Sequence, residues 1–328
     1  MKHIWYKLPC KQNELQLLGT LNGGQSFRWK KICDEQKEQW LGVFFNKVWI
    51  LQQENDHILY KVHETKLNEL EDEMSYNNLL RSYFQLHVNI EKLYEEWSTA
   101  DPYFKEAAKQ FYGIRILKQD IVENIFSFIC SSNNHITRIS SMVEKLATFY
   151  GEEICEIDGE KYYAFPKVNL LAQQSVEEKL RTNGFGYRAK YISKTAQHIM
   201  DSGGEKWIDK LQTMSYEEAK KELMLLTGIG AKVADCICLM SLNHLHAIPV
   251  DTHIYQIAKR LYMPKLPDKK TVTEKIYNDI GDHFRDLYGP LAGWAHTVLF
   301  CADLKKFQGN NTENSSSGNL RKKSKSKK

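Results

Sequence analysis

The chain has 328 residues, 42% of them apolar and 12% aromatic, which at roughly 150 residues per domain predicts about two domains with filled cores and excludes a disordered or fibrous protein. Its 45 Lys+Arg against 41 Asp+Glu give +4, but residues 305–328 hold eight of the basic groups and one acid, leaving 37 against 40 in the body from 1 to 304. A body so balanced is no bulk polycation, and any nucleic acid it binds must meet a local patch.

From Glu14 to His63 the segments LQLLGTL, QSFRWKKI, QWLGVFFNKVWILQQ and HILYKVH are rich in branched and aromatic residues and separated by Gly, Asn or Asp. They predict a small antiparallel sheet. After about Leu67 the apolar period becomes 3.6, which predicts helices of 8 to 16 residues nearly everywhere up to Leu304. Among these, Asp120 is placed to cap IVENIFSFIC, a segment apolar on every side and therefore expected at the middle of a helical core. The expected fold class is α+β, with sheet and helices over 1–118 packed on a helical domain over 119–304. The tail 305–328 lacks the branched and aromatic content to offset the entropy of ordering and is expected to be disordered. Its final RKKSKSKK has the composition of a nuclear-import signal, with a nucleic-acid tether as the alternative.

The seven cysteines, at 10, 33, 130, 155, 236, 238 and 301, form no CxxC pair and fit reduced thiols better than a disulfide framework. The scattered histidines show no ligand spacing, so neither a catalytic metal nor a cofactor is expected. The amino terminus has no uninterrupted apolar run, and no stretch of about 18 apolar residues exists, so no export signal or membrane span is expected.

Ser215–Leu242 reads as two helices joined by Thr227-Gly228-Ile229-Gly230, with Ser215 and Glu218 forming a capping box for the first. Glycines at 228 and 230 permit positive φ and a close backbone approach. They also leave open N–H groups at the start of the second helix, where the dipole favours an anion such as a DNA phosphate. A plain turn is the other use of such glycines. Lys232 and Cys236, four apart, share one face of the second helix, while Val233, Ile237 and Met240 form its apolar stripe. In the first helical turn Lys232 opposes the macrodipole, a small cost unless the residue has another use, and a surface lysine touching a phosphate is the plain alternative. Asp251, after the extended Pro249-Val250, sits at the N-cap of an amphipathic helix through Ile254, Ile257 and Leu261, a position that needs no function.

Lys232 followed by Asp251 in a PVD context, together with the helix-hairpin-helix, GQSFRW (24–29), ICSSNN (129–134), GFGYRA (184–189) and GWAHTVLF (293–300), resembles the eukaryotic 8-oxoguanine DNA glycosylase/AP lyases from about Glu14 to Leu304. The resemblance implies a monomeric base-excision enzyme, acting on damaged double-stranded DNA in the nucleus and open to a mitochondrial share. Lys232 is then the amine nucleophile and Schiff-base former, and Asp251 the carboxylate that stabilises the developing positive charge. A free lysine is overwhelmingly an ammonium at pH 7, so the site must lower its pKa by desolvation or take its proton during the reaction.

The same resemblance implies that Phe300 and Cys236 sandwich the flipped base and that the Gly24 carbonyl accepts the N7 hydrogen of 8-oxoguanine. Asn133 fills the vacated stack, Arg138 and Arg188 read the estranged cytosine, Tyr187 wedges beside it, and His253 meets the DNA backbone. The chain departs from the family pattern at His296, where a glutamine usually reads the base edge. An imidazole offers its donor and acceptor on opposite sides of a ring, so weaker or more pH-sensitive base binding is expected, with protonation near pH 6.5 turning acceptor into donor. His135 replaces a third asparagine. The iron–sulfur glycosylase branch is excluded by the single cysteine, Cys301, beyond Asp251. A non-catalytic hairpin module is the remaining rival, and it leaves the pairing of lysine and aspartate unexplained.

Overall fold

The computed structural model describes residues 4–34, 37–64, 72–268 and 272–303; the expected disordered tail lies outside these. The first part of the chain runs β1 (Tyr6–Pro9), α1 (Leu17–Leu21), β2 (Trp29–Asp34), β3 (Lys37–Phe44), β4 (Lys47–Gln53), β5 (His57–His63) and α2 (Glu73–Tyr83). The five strands form an antiparallel sheet in the order β1-β5-β4-β3-β2.

Two of the four expected strand segments differ from expectation. LQLLGTL contributes α1 rather than a strand, because Leu17 and Leu21, four apart, are both buried while Leu18 is exposed, the spacing of a helix face. QWLGVFFNKVWILQQ is a hairpin: Phe45 and Asn46 adopt φ of 47° and 54°, the two left-handed residues that a two-residue turn requires.

The sheet is covered on both faces, which explains why β3 and β4 are continuous apolar runs instead of alternating ones. Trp40, Trp49, Leu51 and Tyr60 pack against Tyr76, Leu80 and Tyr83 of α2. Leu41, Val43, Val48 and Ile50 pack against Ile154, Tyr162 and Ala164. Ile154 and Tyr162 belong to a second hairpin, β6 (Glu153–Ile157) and β7 (Glu160–Tyr163), which interrupts the helices expected there, and Ala164 directly follows it. Its turn is Asp158-Gly159, both at positive φ.

The helices that follow α2 are α3 (Ile90–Ala100), α4 (Pro102–Ala108), α5 (Ile121–Ser131), α6 (Ile136–Tyr150), α7 (Val168–Leu171), α8 (Val176–Leu180), α9 (Arg188–Asp201), α10 (Glu205–Gln212), α11 (Tyr216–Leu223), α12 (Ala231–Met240), α13 (Thr252–Ile257) and α14 (Glu274–Tyr288). A last helix, α15, spans 292–303. As expected, α5 lies at the centre, with Ile125, Phe126, Phe128 and Ile129 buried and Asp120 accepting the Glu123 N–H at 2.9 Å.

Polar groups fasten the sheet region to the helices. Arg115, fully buried, donates to the carbonyls of Glu14, Gln85 and Val88 and pairs with the Glu14 carboxylate, so its charge and fork of donors are satisfied. Gln25 donates to the Arg115 carbonyl at 2.7 Å and accepts from Leu117 N–H at 3.0 Å, while Gln119 donates to the Gln25 carbonyl at 2.9 Å. These bonds bring Gly24 against the helical domain.

Candidate active site

The hairpin is built as its residues require. Ser215 and Glu218 cap α11 reciprocally. Gly228 has φ +89°, and a Cβ there would lie 2.4 Å from the Tyr191 ring, so both conformation and space demand glycine. Gly230 is the N-cap of α12, and nothing lies within 4 Å of where its Cβ would be. The α12 N-terminus therefore faces open space into which an anion can come.

α12 then delivers Lys232 and Cys236 to a cavity of about 230 Å³. Gly24 arrives from the amino-terminal region, Asp251 and His253 from the start of α13, and His296 and Phe300 from successive turns of α15. At Gly24 the backbone has φ +71° with no neighbour within 4 Å of a Cβ, so the residue is needed for its conformation and not for room. Asp251 caps α13 by accepting the Ile254 N–H at 2.9 Å. His253 and Phe300 meet edge to face, ring centroids 6.0 Å apart.

Lys232 is surrounded by opposing influences. Burial works against its charge, Cys236 and Asp251 favour it, and the balance lies above the ordinary lysine value; its ammonium stands 5.2 Å from the Phe128 ring centroid. The expected lowering of its pKa by desolvation is therefore not what the free site shows. Burial pushes the Cys236 thiol up to about 11 against the pull of Lys232, so at neutral pH the pair is ammonium and thiol.

His296 is buried, and among the described residues neither ring nitrogen has a well-aligned hydrogen-bond partner, the Pro249 carbonyl making only a weak contact. Burial pushes it down to about 4, although Asp251 and the Pro249 carbonyl favour its charged form. This corrects the expected protonation near pH 6.5: the ring is neutral from pH 5.5 to 8.

The remaining sequence candidates, Asn133, Arg138, Tyr187 and Arg188, do not line the cavity; they gather at the loop beside it, whose flanking residues Ser131 and Asn134 do. Asn133 is exposed at φ +48° in the loop between α5 and α6. Arg188 is almost wholly buried and gives its Nη2 to the Ser132 and Asn133 carbonyls, leaving its Nε unpartnered. Tyr187, 44% exposed, donates to the Ser132 carbonyl at 3.0 Å, and Arg138 donates to the Gly184 carbonyl at 3.1 Å. In the free protein Tyr187 and Arg188 thus hold the Asn133 loop by its backbone.

Sequence reasoning passed over Asp235, which is fully buried on α12 and accepts from Tyr216, Lys220 and Tyr277. The signal was legible: a carboxylate between Ala234 and Cys236 in a helix otherwise apolar from Val233 to Met240 needs buried partners. Phe128, which lines the cavity, was read as core alone.

A phosphate-accessible hairpin that leads its second helix into a lysine–aspartate cavity defines a base-excision protein of the helix-hairpin-helix class. Residues 7–125 match the 8-oxoguanine DNA glycosylase N-terminal domain, and residues 126–280 match the HhH-GPD superfamily of base excision DNA repair proteins. The N-glycosylase/DNA lyase OGG1 of Arabidopsis thaliana is 38% identical, the match covering 92% of this chain and 80% of the relative. The N-glycosylase/DNA lyase of Saccharomyces cerevisiae is 36% identical, over 95% and 89%. The Clostridium acetobutylicum 8-oxoguanine glycosylase/lyase, solved with double-stranded DNA containing cytosine opposite 8-oxoguanine, superposes with a TM-score of 0.76 at 31% identity, over 89% of this chain and 93% of that one. The chain belongs to the 8-oxoguanine DNA glycosylase/lyase family.

Proposed function

We propose that this protein excises 8-oxoguanine opposite cytosine from duplex DNA and nicks the resulting abasic site, with Lys232 as nucleophile and Asp251 as charge stabiliser. The observation that carries the proposal is the convergence of Lys232, Asp251, Cys236, His296 and Phe300 on one cavity. That cavity is smaller than the roughly 300–1,000 Å³ of drug-sized sites and suits a single flipped base.

The chemistry follows from these groups. The Lys232 lone pair forms a bond to C1′ as the C1′–N9 bond breaks, and the base leaves with that electron pair. Lys232 gives up a proton and the departing base takes one, so the exchange balances. Asp251, anchored at the α13 N-terminus, stabilises the positive charge developing on the sugar. Breaking C1′–O4′, with the second amine proton passing to O4′, opens the ring to a protonated imine; loss of the C2′ proton then breaks C3′–O3′ and expels the 3′ phosphate by β-elimination.

Asn133 supports the flipped state by filling the stack, with Arg138, Arg188 and Tyr187 at the orphaned cytosine, and the Gly228–Gly230 hairpin and His253 on phosphate. For Arg188 this requires exchanging loop carbonyls for base acceptors as the Asn133 loop enters the DNA. The enzyme acts as a monomer, and its basic tail supports a nuclear address.

Borohydride added to protein and a duplex carrying 8-oxoguanine opposite cytosine is expected to trap a covalent band in wild type and none in Lys232→Gln. A wild type that binds this duplex but neither nicks nor traps it would overturn the substrate assignment.

A further inference from the structure

Lys232 and Asp251 stand on different elements, and their chemistry depends on a fixed separation. The hydrogen-bonded route between those elements passes through the buried Asp235 cluster. Asp235 shares α12 with Lys232. Its carboxylate accepts from Tyr216 Oη at 2.7 Å, from Lys220 Nζ at 2.9 Å and from Tyr277 Oη of α14. The Lys220 ammonium lies 5.4 Å and 4.9 Å from the Tyr216 and Tyr277 ring centroids, so the ion pair is walled by two aromatic rings.

Tyr277 does one thing that Tyr216 does not. With its proton given to Asp235, its oxygen accepts the N–H of Val250 at 3.3 Å, the residue immediately before Asp251. Val250 is buried outside any helix or strand, and among the described residues no backbone group is recorded as bonding its N–H. Tyr277 therefore acts as a strut from the helix that carries the amine to the backbone that carries the carboxylate.

We infer that Tyr277, held by Asp235, is a positioning residue that sets where the Asp251 carboxylate stands relative to Lys232. The inference rests on the proposed roles of those two residues. It makes Tyr277 matter for base excision, where a carboxylate must oppose charge growing on the sugar, and much less for imine formation at an abasic aldehyde, which needs only the amine. Displacing a reacting group by about 1 Å can cost on the order of 100-fold in rate.

The test compares Tyr277→Phe with Tyr216→Phe, since each removes one hydrogen bond to Asp235 and only the first removes the link to Val250. The readouts are single-turnover excision of 8-oxoguanine, nicking of a preformed abasic duplex, DNA affinity, melting temperature and hydrogen exchange at the Val250 amide. In Tyr277→Phe, excision is expected to fall at least 10-fold, with abasic nicking and DNA affinity within about threefold of wild type and faster exchange at Val250. Tyr216→Phe is expected to keep both excision and slow exchange. Equal behaviour of the two variants, a parallel loss of excision and nicking, or an unfolded Tyr277→Phe beside a folded Tyr216→Phe would overturn the inference. A wild type inactive on 8-oxoguanine overturns the proposed function instead, and exchange at Val250 still decides whether the strut exists.

Discussion

At the scale of single residues, the environment decides more than the residue type. His296 has an ordinary value near neutrality, yet burial holds it at about 4, so the base contact proposed for it would act through shape and hydrogen-bond count rather than titration. Excision measured from pH 5.5 to 8 should give profiles of the same shape for wild type and His296→Gln, displaced in rate by the change in base contacts. A limb near pH 6.5 seen in wild type alone would contradict the buried, neutral ring. Gly228 offers a second case. Gly228→Ala must place a methyl against Tyr191 at a backbone angle disfavoured for it, at a cost on the order of 1–3 kcal/mol. The expected result is a lower melting temperature and weaker DNA binding, whereas Gly230→Ala, in open space, affects DNA binding with little loss of stability.

At the scale of elements, helix ends were the most legible parts of the sequence, because a capping side chain bonds to an N–H two or three residues away and needs no tertiary partner. Asp120, Ser215 with Glu218, and Asp251 all cap as their local sequences indicate. Strands were read less well. LQLLGTL has strand-like composition but helical burial, and YKLP of β1 is too short to show a pattern without the β5 strand it pairs with. The Asp158-Gly159 pair is a recognisable hairpin signal within a stretch expected to be helical throughout.

The cap at Asp251 separates two of its roles. Asp251→Asn retains an N-cap acceptor and is expected to change stability by no more than about 0.5 kcal/mol, while Asp251→Ala costs about 1 kcal/mol. Both should abolish most base excision. Denaturant melts beside single-turnover assays would reveal the divergence, and equal stabilities of the two variants would deny the carboxylate its capping role.

For the whole molecule, two groups that packing largely removes from water, Glu123 on α5 and His296 on α15, shape the dependence of stability on pH. Burial pushes Glu123 up to about 7, against the lowering pull of Arg28, 3.8 Å away. A carboxyl raised in the folded state contributes stability below its unfolded value, and that contribution is lost as pH rises through about 7. His296 behaves in the reverse sense: depressed to about 4, it contributes stability above about 6.5 that is lost as pH falls through 4. Relative to Glu123→Gln, wild type should therefore weaken from pH 4.5 to 8. Relative to His296→Gln, it should weaken from pH 6.5 to 4. Each effect is on the order of 3 kcal/mol, measurable as the difference between melting curves across pH, and parallel curves for variant and wild type would contradict the burial of the group concerned.

The sequence by itself determined the α+β class, the capped helices, the glycine hairpin and, through its resemblance to a family, the pairing of Lys232 with Asp251. All of these rest on contacts between residues close in the chain or on motifs of fixed spacing. Tertiary structure alone decided that Lys232 keeps its charge despite burial, that His296 is neutral, that Arg188 holds the Asn133 loop by its carbonyls, and that Tyr277 joins Asp235 to Val250. Protonation follows from how much water and which charges surround a group, and those neighbours come from segments far apart in sequence that only packing brings together.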